Sequence, residues 1–125
     1  MPIPDYQTLM LPLLQFAADG KDHTTREAVE VLAAEFQLTA AERTELLASG
    51  QQAIFNNRVG WANSYLKKAG LLESPRRGAL RIAARGRQVV GDKPTRIDVK
   101  YLERFREFIE FRDASRNNRE LTRAH

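Results

Sequence analysis

The chain has 125 residues, of which 42% are hydrophobic and 29% charged, a balance that suits one folded domain with its own core. It contains no cysteine, which excludes disulfides and thiolate metal sites, and its two histidines, His23 and His125, lie too far apart in sequence to form a zinc site together. No apolar run approaches the roughly 18 residues of a membrane span. The start of the chain is acidic rather than basic, unlike a signal or transit peptide. We therefore expect a cytoplasmic protein with no metal, no cofactor and no membrane partner.

The net charge of +4 is unevenly distributed along the chain. Residues 1–49 hold three Lys/Arg and eight Asp/Glu, whereas residues 50–125 hold seventeen and eight. Such an asymmetry favours a surface aimed at a polyanion such as nucleic acid. A solubilising surface with a basic tail is the alternative.

Three helices are predicted in the first part of the chain. The first covers residues 5–18 with Asp5 as its cap, and Pro12 should kink it or shift its start. The segments Thr24–Glu27 and Thr39–Glu42 have the spacing of capping boxes. They should open a second helix to about residue 37 and a third to about residue 47.

A fourth helix is predicted over residues 56–69, closed by Gly70. Short strands follow at residues 71–73 and 79–82, joined by the loop Ser74–Gly78. Three helices, a basic helix and a hairpin follow one another as in a winged helix-turn-helix, in which the hairpin is the wing. We therefore predict a mostly α fold with a small β-hairpin.

The rest of the chain is predicted to hold a short helix at residues 85–90, a linker at 91–95 and a helix at 98–112. We accordingly divide the chain into a winged-helix domain, residues 1–95, and a C-terminal helix, residues 96–114. That helix either packs on the domain or leads to a further one. Residues 115–125 are polar and are predicted to form a flexible tail.

The fourth helix has two contrasting sides when its residues are placed at 100° steps. The apolar side is predicted to be buried and consists of Phe55, Val59, Ala62, Leu66 and Ala69. The outward side consists of Asn57, Trp61, Ser64 and Lys68, with Gly60 and Lys67 at one edge and Arg58 and Tyr65 at the other. Asn can pair with adenine, Ser can contact base or phosphate, and Lys neutralises phosphate. Glycine would let the helix backbone approach closely. The alternative is an ordinary solvated face.

Two residues of this helix have open assignments. Asn56 is expected to serve as the helix cap. Trp61 either packs under the hairpin or against the C-terminal helix, or it meets a base or a thymine-like methyl group.

The hairpin carries Arg76 and Arg77 at its tip and Arg81 on the return strand. Arginines suit the narrow, negative minor groove of DNA. The alternative is a charged hairpin that resists edge-to-edge aggregation. Beside a basic helix, the hairpin favours DNA binding.

The run from Val59 to Gly78, VGWANSYLKKAGLLESPRRG, resembles the N-terminal domain of the Mrr-type (type IV, modification-dependent) restriction endonucleases. Segments 4–14, 26–29, 55–59 and 81–87 resemble it too, so the similarity covers roughly residues 2–112. The resemblance implies a winged-helix domain that binds DNA and a separate C-terminal nuclease domain that cuts DNA carrying methylated bases. It also implies that residues 57–68 and 75–78 face the DNA.

The sequence departs from that family in two places. The nuclease domain is absent, and Asp98-Val99-Lys100 has only a faint likeness to a nuclease metal motif. We therefore predict no catalytic residue and no enzymatic activity. Ala83 stands where the family tends to have a helix-capping threonine, so the short helix after it should be less firmly capped.

The sequence thus predicts a DNA-recognition module of an Mrr-like restriction system. Asn57, Trp61 and Ser64 are expected to contact base edges, whereas Arg58, Lys67, Lys68, Arg76, Arg77 and Arg81 contact phosphates. The expected partners are double-stranded DNA, with methylated DNA as a candidate target, and a nuclease domain in the parent protein or a partner; a homo-oligomer is left open. The alternatives are a winged-helix transcription regulator and, on Trp61 and the aromatic C-terminal helix, a protein-interaction domain.

Overall fold

The computed structural model describes residues 3–123, with side chains through residue 114. Within these residues, helices are accompanied by a small three-stranded antiparallel sheet. The helices are α1 (Tyr6–Phe16), α2 (Thr25–Glu35), α3 (Ala40–Thr44), α4 (Ile54–Lys68), α5 (Ala84–Gly91), α6 (Val99–Leu102) and α7 (Arg106–Arg123), and the strands are β1 (His23–Thr24), β2 (Leu72–Glu73) and β3 (Ala79–Ile82). The predicted fold class is confirmed, and the order of elements is compatible with a winged helix.

Local capping signals in the sequence place the starts of the first three helices correctly, whereas each of these helices ends two or three residues earlier than predicted. The Asp5 carboxylate accepts from the backbone N–H of Thr8 at 2.7 Å and opens α1. Both predicted capping boxes are present, with Thr24 and Thr39 as the caps of α2 and α3. Pro12 lies inside α1 without shifting its start.

Helix α4 begins earlier than predicted. Its N-cap is Ala53, which provides no side-chain cap, so Asn56 lies in the first turn and the assignment of Asn56 as the cap is wrong. An isolated bridge between Leu46 and Ala53 fixes the chain just before the helix. Next to this bridge, the backbone N–H of Ile54 donates to the carbonyl of Glu45 at 2.8 Å, so the preceding segment rather than a side chain satisfies this N–H.

The sheet contains a strand that the sequence did not predict. Strand β1 pairs antiparallel with β3, with His23 opposite Leu80, and β2 pairs with the other edge of β3. A two-residue strand is too short to show an alternating pattern in the sequence. Only its pairing with β3 reveals it. Through β1, the chain before α2 is joined to the hairpin.

One buried cluster connects the helices. It includes Leu9, Leu13, Leu32, Phe55, Leu66, Leu80, Ile97, Leu102 and Phe108. Because Ile97, Leu102 and Phe108 belong to the same cluster, the segment after residue 96 packs on the rest of the fold. Domain boundaries within the chain remain predictions.

The C-terminal part differs from the predicted single helix over 98–112. It is divided into α6 and α7, which are separated by residues 103–105. The backbone of residues 115–123, where a flexible tail is predicted, continues α7, while residues 124–125 lie outside the described part. No helix within residues 3–123 is long and apolar enough to cross a bilayer.

Candidate nucleic-acid interface

The predicted outward side of α4 is partly exposed and holds a shallow depression beside Trp61. The depression has a volume of about 290 Å³ and is lined by Gln52, Asn57, Gly60, Trp61 and Ser64. The Asn57 amide donates to the side-chain oxygen of Gln52 at 3.1 Å, and Ser64 is exposed. Short polar groups therefore surround an aromatic ring on this surface, which we call the α4 outer face (Asn57, Trp61, Ser64, Lys68).

Trp61 lies at the rim of an aromatic cluster and is 51% exposed. Its ring meets the edge of Tyr65 at a centroid distance of 6.0 Å. Tyr65 in turn packs edge-to-face with Tyr6 at 5.3 Å and with Phe108 of α7 at 5.7 Å. The aromatic cluster thus supports the indole on one side, while about half of the indole surface faces solvent.

Two of the predicted phosphate-contacting cations of α4 are already bonded within the chain. The guanidinium of Arg58 donates to the carbonyls of Ile3 at 2.7 Å and Pro4 at 3.3 Å. The Lys67 ammonium donates to the carbonyl of Ala79 at 3.3 Å, and burial lowers the pKa of Lys67. Arg58 therefore fastens the N-terminal segment to α4, and Lys67 fastens α4 to the hairpin.

Lys68 is the more available cation of the pair at the end of α4. Its side chain is exposed, and its ammonium lies 5.3 Å from the centroid of the Phe111 ring. A cation–π contact at an exposed site contributes only about 0.5–1 kcal/mol, so it holds the ammonium weakly. Lys68 therefore fits the predicted phosphate role better than Lys67.

The hairpin presents arginines that differ in their partners. Arg81 donates to Glu73 at 2.8 Å and to Asp22 at 3.3 Å, and these acids, Glu73 first, raise the pKa of its guanidinium further. Arg76 is 3.8 Å from the other carboxylate oxygen of Asp22. Arg77 is exposed beside Gly78, which has a φ of +77°. The hairpin tip is cationic, and Asp22 and Glu73 partly neutralise its base.

A cleft of about 610 Å³ lies between α2, α3 and α4. We call it the α2–α4 cleft; its lining comprises Thr25, Arg26, Val29, Glu30, Ala40, Arg43, Thr44, Gln52, Asn56 and Gly60. Gln52 and Gly60 also line the depression on the α4 outer face, so the two concavities share an edge.

Sequence reasoning missed four of the residues gathered here: Arg26, Gln52, Asn56 and Asp22. Asn56 could have been found, because on a helix beginning at residue 54 it projects next to Gly60. Gln52 precedes the helix, and Asp22 contacts an arginine 59 residues away, so neither carries a local signal.

His23, in β1, contacts a carboxylate before the strand and a carboxylate in the first turn of α2. Its ring nitrogens are 2.9 Å from Asp19 and 3.2 Å from Glu27. Burial lowers the pKa of His23, but the hydrogen bonds and charges of the two carboxylates outweigh this and raise it above its ordinary value. Among the described residues, no group of three or more His, Asp or Glu side chains is arranged to hold a metal ion.

These features define a class of small helical domain that presents a polar helix face beside a cationic hairpin. The profile of the family described as "Mrr N-terminal domain" matches residues 6–92, and the chain belongs to this family. It is 32% identical over 95 residues to the "Type IV methyl-directed restriction enzyme EcoKMrr" of Escherichia coli (strain K12). That alignment covers 75% of the chain and 31% of the enzyme, so the chain spans about a third of its relative. No solved structure matches the chain significantly.

Proposed function

We propose that this chain is the DNA-binding recognition module of an Mrr-like restriction system and has no nuclease site of its own. The observation that carries the proposal is the exposed, polar α4 outer face next to a hairpin with a cationic tip. Membership of the Mrr N-terminal domain family and similarity to a restriction enzyme support it. Cleavage then belongs to a nuclease domain in the parent protein or in a partner.

In the proposed complex, α4 enters the major groove, whose edges distinguish all four base pairs. Asn57, Trp61 and Ser64 contact the bases there. Lys68 and the hairpin arginines Arg76 and Arg77 contact phosphates, which provide most of the salt-dependent affinity. For Arg58, Lys67 and Arg81 a phosphate contact requires the release of bonds made within the chain, so we assign them a secondary contribution.

We further propose that Trp61 senses methylated bases. Its half-exposed ring forms an apolar wall of the depression, next to the polar groups of Asn57 and Ser64. A methyl group on a base edge offers the same apolar contact as the methyl of thymine in the major groove. The relative's name, a methyl-directed restriction enzyme, supports this assignment.

The proposal is tested by titrating the protein with methylated and unmethylated duplexes of one sequence at two salt concentrations. With three phosphate contacts, affinity should fall about 40-fold between 50 and 200 mM salt, since each neutralised phosphate contributes about 0.9 to the logarithmic slope. No binding at low salt would contradict DNA binding. Equal affinity for both duplexes would contradict methyl sensing alone.

Paired variants separate phosphate contacts from base contacts. Arg76→Ala/Arg77→Ala should weaken binding to all duplexes alike and make the salt slope shallower by about 1.8. Trp61→Ala should instead reduce the preference for the methylated duplex. Arg106→Ala on α7, where the arginine pairs with Glu110, removes a positive charge outside the proposed interface and should leave binding unchanged. If Trp61→Ala lowers only the free energy of unfolding, the ring has a purely structural role.

A protein-interaction role is the second candidate, and the exposure of Trp61 favours it. The ring borders a pocket of about 330 Å³ lined by Tyr6, Asn57, Arg58, Trp61 and Tyr65. Exposed aromatic surface of this kind is typical of partner-binding sites. Binding of a protein partner that is insensitive to salt, combined with no DNA binding at low salt, would favour this candidate.

A further inference from the structure

The α2–α4 cleft adjoins the α4 outer face along a shared edge at Gly60. Stepping along α4 at about 100° per residue places Gly60 about 40° from Asn56 on the cleft side and about 40° from Ser64 on the other. Gly60 therefore lies on the cleft side of the exposed arc of α4, between Asn56 and Ser64. Sequence reasoning placed Gly60 at the edge of the outward side. It could not reveal the cleft beyond that edge, because the cleft is formed with the neighbouring helices α2 and α3.

The side chains of the cleft are suited to a strand of nucleic acid. Glu30 is neutralised by Arg43, whose guanidinium lies 2.6 Å from its carboxylate. Arg26, exposed in the first turn of α2, therefore gives the lining of the cleft a net positive charge. Asn56 is exposed on the opposite wall and offers both a donor and an acceptor.

Gly60 has no reason within the fold to be glycine. A Cβ atom built on it meets nothing within 4 Å, and its φ is not in the left-handed region. Glycine inside a helix is less stable than alanine, so the fold gains nothing from it. By contrast, a Cβ on Gly86 would collide with the carbonyl oxygen of Leu71. A helical glycine without an internal role is typical of a surface that another molecule approaches closely.

We propose that the α2–α4 cleft is a second part of the DNA interface and holds one strand of the duplex. Arg26 contacts a phosphate, Asn56 contacts a base edge, and Gly60 is the point of closest approach between α4 and the DNA. The inference rests on the proposed function, and it adds a base-contacting residue and a phosphate-contacting residue that lie outside the α4 outer face.

The test compares Gly60→Ala and Gly60→Leu with the matched variants Gly91→Ala and Gly91→Leu. Gly91 ends α5, and its added Cβ also meets nothing within 4 Å. Urea unfolding and duplex titration are measured on each variant. Gly60→Ala should raise the unfolding midpoint, and Gly60→Leu should fold yet bind DNA at least tenfold more weakly. Both Gly91 variants should bind like the wild type.

If Gly60→Leu folds and binds like the wild type, the cleft proposal is overturned. The proposed function stands independently in that case, provided that Arg76→Ala/Arg77→Ala still weakens binding. If Gly60→Leu does not fold, Arg26→Ala decides: we expect a salt slope shallower by about 0.9, and an unchanged slope overturns the proposal. If the wild type does not bind duplex at low salt, the proposed function fails and the cleft proposal fails with it.

Discussion

Asp22 forms surface ion pairs with two hairpin arginines. Its carboxylate oxygens lie 3.3 Å from Arg81 and 3.8 Å from Arg76. Both pairs are on the surface, where an ion pair contributes about 0.2–1 kcal/mol. A carboxylate at the base of the hairpin also repels phosphate, so it opposes binding to DNA of any sequence.

We predict that Asp22→Asn tightens duplex binding about fivefold, because two arginines lose a competing partner and a repulsive charge is removed. The gain should be the same for methylated and unmethylated duplexes. Titration at low salt measures it. Glu110→Gln, which removes one carboxylate from α7, is the matched control. Equal gains in both variants would assign the effect to net charge, and weaker binding by Asp22→Asn would show that the arginines need Asp22 to position them.

Asp22 also illustrates which residues of the interface could be predicted from sequence. The caps at Asp5, Thr24 and Thr39 were predicted because their hydrogen bonds close within three residues, so the spacing itself encodes them. The partners of Asp22 and Lys67 lie across the sheet and the hairpin, and no local pattern reports them. The polar character of the α4 outer face was predictable. The hydrogen bonds from Arg58 to the carbonyls of Ile3 and Pro4 were not.

At the scale of the elements, helix α5 begins without a side-chain cap, as α4 does. Its N-cap is Ala83, which has the extended backbone of a capping position but no side chain that can accept a hydrogen bond. The helix nevertheless packs tightly, because Gly86 lies directly against the backbone of Leu71. The missing cap is therefore compensated by packing rather than by a local hydrogen bond.

We predict that Ala83→Thr raises the free energy of unfolding by about 1 kcal/mol, the usual gain when a hydroxyl accepts from the first turn of a helix. Chemical denaturation measures it. Ala83→Val has nearly the same shape without the hydroxyl, and it should give no such gain. If valine stabilises the protein as much as threonine, side-chain packing rather than capping is responsible.

The elements that sequence reasoning misplaced are those determined by partners. Strand β1 exists because β3 pairs with it, and α4 begins at Ile54 because the bridge at Ala53 aligns the preceding chain. The break between α6 and α7 was invisible in the apolar pattern, since Tyr101 before it and Phe105 within it are both partly buried. The order of the first five α-helices needed only periodicity and caps, and it was predicted.

At the scale of the whole molecule, His23 couples folding to pH. Its raised pKa means that the folded protein binds the proton more tightly than the unfolded chain does. The resulting stabilisation is fully present below the unfolded pKa of His23 and is lost as the pH rises through the folded pKa. Asp19 and Glu27, whose pKa values are lowered, contribute a stabilisation that is lost only as the pH falls into the acid range.

We therefore predict that the free energy of unfolding decreases between about pH 6 and pH 8, the range in which histidines titrate in proteins. His23→Gln should remove most of this decrease, because glutamine keeps a polar contact but does not titrate. Urea unfolding at several pH values measures the slope. Equal slopes for both proteins would contradict the coupling.

The connection between α4 and β2 is very short, since α4 ends at Lys68 and β2 begins at Leu72. Gly70, with a φ of +81°, turns the chain, while Leu71 donates to the carbonyl of Leu66 at 2.9 Å and accepts from Ala83 at 3.0 Å. The turn and these two backbone hydrogen bonds therefore hold the hairpin close to the end of α4. On the proposed function, the double helix must supply the adjustment, and its local stiffness and groove width then contribute to selection at base pairs that no side chain touches.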